Sequence, residues 1–303
     1  MTGPAILPFD EDSIAEAARL VLAGQPVAVP TETVYGLAAD ATDAEAVARI
    51  YAAKGRPSFN PLIVHVPDLA AAERIGVFDA AARALAEAHW PGPLTLVVPL
   101  REDSAIAGIV TAGLPSIALR VPAHPAMQAL LRATGRPLAA PSANASGSIS
   151  PTRARHVAKS LAGRIKLVID GGATSEGIES TIVAATGGPL RLLRRGPVEV
   201  DAAEVAGGAI EAPGMMASHY APSKPLRLDA REAAEGELLI GYGAVRGELF
   251  LGNTPVEAAA RLFDLLHCAD EADAARIAVA PVPGDGLAAA IRDRLRRAAA
   301  PRS

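Results

Sequence analysis

Three observations predict an α/β (α+β) fold for this 303-residue chain. Apolar, β-branched runs recur between stretches of helical periodicity, as in a sheet flanked by helices. After Gly196-Pro197 the texture changes to a segment rich in Gly, Pro and small residues, which reads as a linker. At about 150 residues per domain, the length suits one large domain or two unequal ones. The predicted organisation is a sheet domain over 6–200, a linker over 201–224 and a small α/β domain over 225–303.

In the first part, strands are predicted at Pro26-Pro30, Pro61-Val66, Leu94-Leu100, Ser116-Val121, Pro137-Pro141, Lys166-Asp170, Ser180-Ala185 and Leu190-Arg194. Helices are predicted at Asp12-Ala23, Ala44-Ala53, Ala80-Ala88, Ala126-Ala133 and Thr152-Leu161, the last with Ser150-Pro151 before it and Gly163 after it as start and stop signals. In the second part, strands are predicted at Pro225-Leu228, Glu237-Tyr242, Gly247-Leu251 and Arg276-Pro281, and helices at Pro255-Cys268 and Asp285-Ala299.

Composition narrows the function classes. Half the residues are hydrophobic and a fifth charged, which is globular rather than disordered. Every apolar run is interrupted before the roughly 18 residues of a membrane span, and the N-terminus lacks a basic region ahead of an apolar stretch. A cytoplasmic protein with no membrane partner is expected. Cys268 is the only cysteine, excluding an intramolecular disulfide, and the six histidines lack ligand spacing, so no protein-built metal site is expected. Residues 1–200 hold 18 basic and 18 acidic side chains, while 201–303 hold 11 and 15, so the whole net charge of -4 belongs to the second part.

Against that acidic total, positive charge is gathered locally. The segment K54-G-R-P-S-F-N-P-L-I-V-H65 carries Lys54, Arg56, Asn60 and His65 without a carboxylate. From Ser104 to Ile169 there is no Asp or Glu, while Arg120, Arg132, Arg136, Arg153, Arg155, Lys159, Arg164 and Lys166 fall inside. An acidic chain with local basic clusters is suited to holding a small polyanion in a cleft. A cation at the end of a helix over 44–53 is accounted for by the helix dipole, but the pair at i and i+2 is not. Arg presents a planar fork and Lys a point charge, a combination suited to nucleotide phosphates.

Two further motifs lie at predicted strand ends, where α/β sheets bind ligands. In P30-T-E-T-V-Y-G-L, Thr31, Thr33 and Tyr35 lie where a strand gives way to a loop, either to meet a small polar substrate or to satisfy their own backbone. In P141-S-A-N-A-S-G-S-I-S-P-T, Ser142, Asn144, Ser146, Ser148 and Ser150 form a small-residue loop before a helix whose positive end would face a bound anion. The Walker A and G-x-G-x-x-G signatures are absent. Ser116, Ser180 and the pair Arg194-Arg195 are weaker candidates.

Taken together and in order, P-T-E-T-V-Y-G-L, K-G-R-P-S-F-N-P-L-I-V-H, W90-P-G-P-L-T, L-R-V-P at 119–122, P-S-A-N-A-S-G and S180-T-I-V followed by L-R-R-G resemble the YrdC-like family. The linker S218-H-Y-A-P and the C-terminal residues beyond it resemble its long, two-domain form, the threonylcarbamoyl-AMP synthases. The resemblance implies a twisted mixed sheet with a large concave positive cavity and a smaller Rossmann-like C-terminal domain. It implies synthesis of L-threonylcarbamoyladenylate from L-threonine, bicarbonate and ATP with release of pyrophosphate, in the service of N6-threonylcarbamoyladenosine formation at position 37 of tRNA. Mg²⁺ would accompany the triphosphate. Downstream tRNA threonylcarbamoyl-transfer proteins would take the product, with weak tRNA contact possible.

By the same resemblance, Lys54, Arg56, Asn60, Ser116, Ser142, Asn144, Ser150, Arg195 and Tyr220 would surround the nucleotide, with Lys54 and Arg56 carrying the catalysis. Thr33, Tyr35, His65, Arg120, Ala140 (through its backbone) and Ser180 would surround threonine, Arg120 pairing with its carboxylate. His219 and Tyr220 would belong to a lid formed by 207–224. An RNA-binding or ribosome-maturation module is the alternative, against which stands an aromatic content of 3%. A carbamoyl-phosphate-dependent transferase is disfavoured by the single cysteine.

Overall fold

The computed structural model describes residues 3–57, 60–204 and 219–301. Its first part opens with β1 (Ala5–Pro8), α1 (Glu11–Leu22), β2 (Val27–Pro30), β3 (Tyr35–Asp40), α2 (Ala44–Lys54) and β4 (Ile63–His65). Next come α3 (Leu69–Glu73), α4 (Ala80–His89), β5 (Leu94–Pro99), α5 (Gly108–Thr111), β6 (Ser116–Arg120) and α6 (Pro125–Thr134). The part closes with β7 (Leu138–Ala139), α7 (Ala154–Ser160), β8 (Leu167–Asp170), β9 (Thr181–Ala184), β10 (Arg191–Arg194) and β11 (Ala203–Glu204). The second part is β12 (Leu226–Arg227), β13 (Glu237–Gly241), β14 (Leu249–Phe250), α8 (Pro255–Glu271), β15 (Arg276–Val279) and α9 (Leu287–Ala299).

Among the described residues, the strands of the first part make one mixed sheet in the order β1-β8-β2-β3-β7-β4-β6-β5-β9-β10-β11. Those of the second part make a parallel sheet, β12-β15-β13-β14. The mixed architecture is the one the sequence predicts. Three strands it does not predict are β1, β3 and β11, and two short helices, α3 and α5, are also additional. The most consequential is β3. It pairs antiparallel with β2, so the Thr31–Val34 segment is a hairpin turn and not the start of a long loop.

Helix ends follow local chemistry. The Asp10 side chain accepts from the Ser13 N–H at 2.8 Å and caps α1, and Asp43 caps α2 through Glu45 and Ala46. Gly55 ends α2 in the left-handed conformation (φ 60°), which a β-carbon would disfavour, and so turns Arg56 back beside the last helical turn. Thr254 and Glu257 form a capping box at the start of α8. The helix expected from Thr152 begins instead at Ala154 and lacks a side-chain cap, because its N-cap residue is Arg153, whose side chain has no acceptor atom and donates to Asp264.

One apolar core lies under α2, α4 and α7 and a second between α1, α6 and the β2–β3–β8 region. The core of the second part is not self-contained. Val34, Ile149 and Ile178 from the first part pack into it with Tyr220, Phe263 and Ile291. No helix among the described residues is long and apolar enough to cross a membrane.

Candidate functional site

The two basic and serine-rich segments converge. Lys54, on the last turn of α2, extends its ammonium inward, donating to the carbonyl of Ser142 at 2.5 Å, the carbonyl of Asn144 at 2.6 Å and Asn144 Oδ1 at 3.2 Å. The lysine is 2% exposed. Burial, then the charge of Arg56, hold its ammonium well below the ordinary lysine value. Asn144 spends its amide N–H groups on the carbonyls of Ser148 and Ile149 at 2.8 and 3.2 Å, so lysine and loop fix one another. Arg56 is likewise buried. It donates to the carbonyls of Asn60 and Pro61 at 3.3 and 3.1 Å, and burial brings its guanidinium down to about 10.

These groups border a cavity of about 50 Å³ whose wall includes Arg56, Arg120, Arg194, Thr33, His65 and Ser180. At the β2–β3 turn, Thr31 satisfies the local backbone through Val34 at 2.7 Å and meets the Thr33 hydroxyl at 2.8 Å. Thr33 in turn accepts from Arg120 at 2.9 Å. Arg120 also donates to Glu32 Oε1 at 2.6 Å and to the Gly92 carbonyl at 3.1 Å. Burial pushes the Glu32 carboxyl up, but the charge and hydrogen bond of Arg120, with the Ala123 N–H, outweigh it and hold it below its ordinary value. His65 is pushed down to about 3 by burial and then by Arg120, and among the described residues its Nδ1 has no hydrogen-bond partner. It is a neutral imidazole facing the cavity.

On the opposite wall Ser180 meets Thr95 at 2.7 Å and accepts from Arg194 at 3.0 Å. Burial lowers the Arg194 guanidinium to about 10. Ser150 donates to Glu179 at 2.5 Å, and the other Glu179 oxygen accepts from Arg294 of α9 at 3.1 Å. His219 and Tyr220 enter from the linker as an edge-to-face pair with ring centroids 4.1 Å apart, both lining the cavity. Burial, then Lys54, Arg56 and Arg194, press the His219 imidazole far below its usual value. The pair forms part of the cavity wall, where a ligand entering the site would meet it.

Of the sequence-predicted residues, Arg56, Thr33, His65, Arg120, Ala140, Ser142, Ser180, His219 and Tyr220 line this cavity. Lys54, Asn144 and Ser150 are held directly behind it through the bonds given above. Asn60 joins the same wall through its carbonyl. The parallel register of β4 with β6, carried two residues back, sets Ser116 level with Pro61, beside the Arg56 wall and outside the enclosed space. Residues 207–218 of the expected lid lie outside the described residues.

Two expectations are corrected, and two others gain partners from elsewhere in the fold. Arg195, just past the end of β10, turns outward and pairs with Glu204, while Arg194 faces the cavity and donates to Ser180. The Tyr35 side chain does not reach the cavity, its hydroxyl donating to the Gly172 carbonyl at 2.7 Å. Arg120 is already paired with a protein carboxylate, leaving part of its fork for a ligand. Long-range contacts also supply the acids that the basic segments lack: Glu32 and Glu179 approach the cavity, leaving the three arginines, backed by Lys54 and Arg294, in excess.

The long carboxylate-free stretch is likewise compensated across the fold. Asp264 of α8 accepts from Arg153 and Arg155 at 2.9 and 3.1 Å, and Lys159 meets Glu271 at 2.7 Å. Three of the eight cations of that stretch are therefore engaged by the acidic second part.

Two family profiles match the chain. That of the Sua5, YciO and YrdC proteins, described as telomere recombination, covers residues 19–196, and one described as threonylcarbamoyl-AMP synthase, C-terminal domain, covers 173–300. Among relatives, a Bacillus subtilis protein named threonylcarbamoyl-AMP synthase is 39% identical over 97% of this chain and 94% of its own. The structure of Pyrococcus abyssi Sua5 complexed with L-threonine superposes with a TM-score of 0.90 at 37% identity, covering 97% of both chains. E. coli YciO, at 23% identity and a TM-score of 0.59, covers 66% of this chain and 98% of its own, and shares the fold of the first part. Matched in both parts and related along nearly its whole length, the chain belongs to the Sua5/YciO/YrdC family, in the form that carries the threonylcarbamoyl-AMP synthase C-terminal domain.

Proposed function

We propose that this chain is a nucleotidyltransferase that makes L-threonylcarbamoyladenylate from L-threonine, bicarbonate and ATP, releasing pyrophosphate, for N6-threonylcarbamoyl modification of adenosine 37 in tRNA. The observation that supports the reading is the junction of Lys54 with Ser142 and Asn144, which joins the basic segment and the serine-rich loop beside one cavity with Arg56 and Arg194. Relatives named threonylcarbamoyl-AMP synthase support the reaction, and the P. abyssi complex supports threonine as the amino acid.

The chemistry suits the residues present. Once the threonine amine has captured carbon dioxide, the carbamate oxygen is already an anion. It forms a bond to the α-phosphorus as the bond from that phosphorus to the bridging oxygen of pyrophosphate breaks. No proton need be removed from the nucleophile, so alignment and charge neutralisation are what the protein must supply. Arg56 and Arg194 meet phosphate oxygens, with Lys54 holding the serine loop that presents its N–H groups. Arg120 and Thr33 hold the amino acid, Arg120 through donors that Glu32 leaves available.

Mg²⁺ would enter with ATP as its counter-ion. The donor set fits a metal held by phosphate oxygens and water: among the described residues no group of three His, Cys, Asp or Glu converges, and Glu179 is bonded on both oxygens. His219 and Tyr220 would withdraw to admit ATP and return to exclude water from a labile mixed anhydride. Downstream threonylcarbamoyl-transfer proteins would receive the product.

Purified protein given ATP, Mg²⁺, bicarbonate and each amino acid in turn tests this. Pyrophosphate release that requires both threonine and bicarbonate is the expected result, and ATP turnover indifferent to both overturns it.

A further inference from the structure

Arg294 belongs to the second part of the chain, yet its guanidinium is 0% exposed and ends at the wall of the first part's cavity. It lies on the inner face of α9 with Ala290, Ile291 and Ala298. Nε donates to Glu179 Oε2 at 3.1 Å and Nη1 to the Arg195 carbonyl at 2.6 Å. The cation stands 5.8 Å from the Tyr220 ring centroid. Since Glu179 also accepts from Ser150, a single carboxylate is gripped between the last helix and the serine loop.

That carboxylate is out of place in a phosphate site. Glu179 lines the cavity, and a buried charge without a counter-ion would repel a polyanion brought beside it. We infer that Arg294 is a positioning residue through which the C-terminal part completes the nucleotide site, cancelling the charge of Glu179 and holding Ser150 and Tyr220 in place. The inference rests on the nucleotide reading proposed above. It does not require Arg294 to touch substrate, and its geometry assigns the C-terminal part a share in substrate binding beyond packing.

A simple interdomain anchor would share the same bonds, so the test must separate charge from anchoring. The full-length chain and its Arg294→Met, Glu179→Gln and Arg294→Met/Glu179→Gln variants are compared by equilibrium binding of ATP, with melting temperature recorded in parallel. Arg294→Met is expected to weaken ATP binding roughly 10- to 100-fold, the scale of repulsion between an uncompensated carboxylate and a phosphate several ångströms away in a partly screened site. The double variant is expected to recover at least ten-fold of that loss, because the unpaired carboxylate is gone. A double variant that binds ATP as poorly as Arg294→Met overturns the proposal, since an anchor once broken is not restored by breaking its partner.

If Arg294→Met does not fold, Glu179→Gln carries the test alone: ATP binding at least as tight as wild type supports charge cancellation, and weaker binding overturns it. Threonine-dependent pyrophosphate release by the wild-type chain is a separate readout. A wild type that binds ATP without that release sinks the functional reading while leaving the Arg294 comparison intact, and one that binds no ATP overturns both.

Discussion

Lys54 Nζ lies 2.6 Å from the carbonyl oxygen of Asn144, ninety positions along the chain, and the contact is fully enclosed. A lysine that donates to two carbonyls and a side-chain amide is structural as well as electrostatic. Lys54→Ala is therefore expected to lower the melting temperature and raise the KM for ATP together, since each charged hydrogen bond lost costs about 1.5–3 kcal/mol. Arg56→Ala is expected to raise the KM for ATP by a similar step. Calorimetry and pyrophosphate kinetics check both, and wild-type kinetics in either variant would show the phosphates to be elsewhere.

The two consecutive arginines offer an internal control. Arg194→Ala is expected to weaken ATP binding by roughly ten- to a hundred-fold, through loss of a buried charged donor. Arg195→Ala, which breaks an exposed pair with Glu204, is expected to stay within about two-fold. Titration calorimetry of the two variants decides, and the reverse order would reassign the inward residue.

Glu32 makes a different prediction because its partner Arg120 is also buried. Glu32→Ala leaves the guanidinium uncompensated and is expected to cost about 3–5 kcal/mol of stability. Glu32→Gln, which keeps an acceptor, is expected to cost less and to raise the KM for threonine more than that for ATP. Chemical denaturation with steady-state kinetics separates the two effects; equal stability of Ala and Gln variants would contradict the buried pair.

Acid should unfold the protein partly through its histidines. His65 and His267 are depressed to about 3 and about 4, burial being the first cause in each. In the unfolded chain both bind protons near pH 6.5, so the unfolded state holds more protons below that pH. Stability is thus present above pH 6.5 and falls as pH drops from 6.5 towards 4, by at most about 1.4 kcal/mol per pH unit for each histidine. Melting curves across this window are expected to slope less steeply in His65→Gln than in the wild type, and an unchanged slope would remove His65 from the account.

What the sequence made legible was local. The cation pair after α2 and the Ser/Asn loop after β7 could be read because their residue types are unusual in combination, and that they share a cavity followed from their common chemistry. β3 escaped notice because Y-G-L-A-A-D is covered on both faces, so it has no polar alternation, and Gly and Ala carry little strand preference. Arg194 could not be told from Arg195 by a period-two pattern, because the register of β10 shifts between Leu192 and Arg194 and the strand ends there. Glu32, Glu179 and Arg294 had no such signal. Their significance arises from partners 88, 29 and 115 positions away, which no window of sequence displays.

The borrowed core of the second part bears on how the molecule comes apart. Val34, Ile149 and Ile178 lie on turns and loops of the first part and pack into the core of the second. Cutting the chain near the linker would expose these three on one fragment and uncover the residues they pack against on the other. Heat should accordingly melt both sheets in one cooperative step, with calorimetric and van't Hoff enthalpies in agreement.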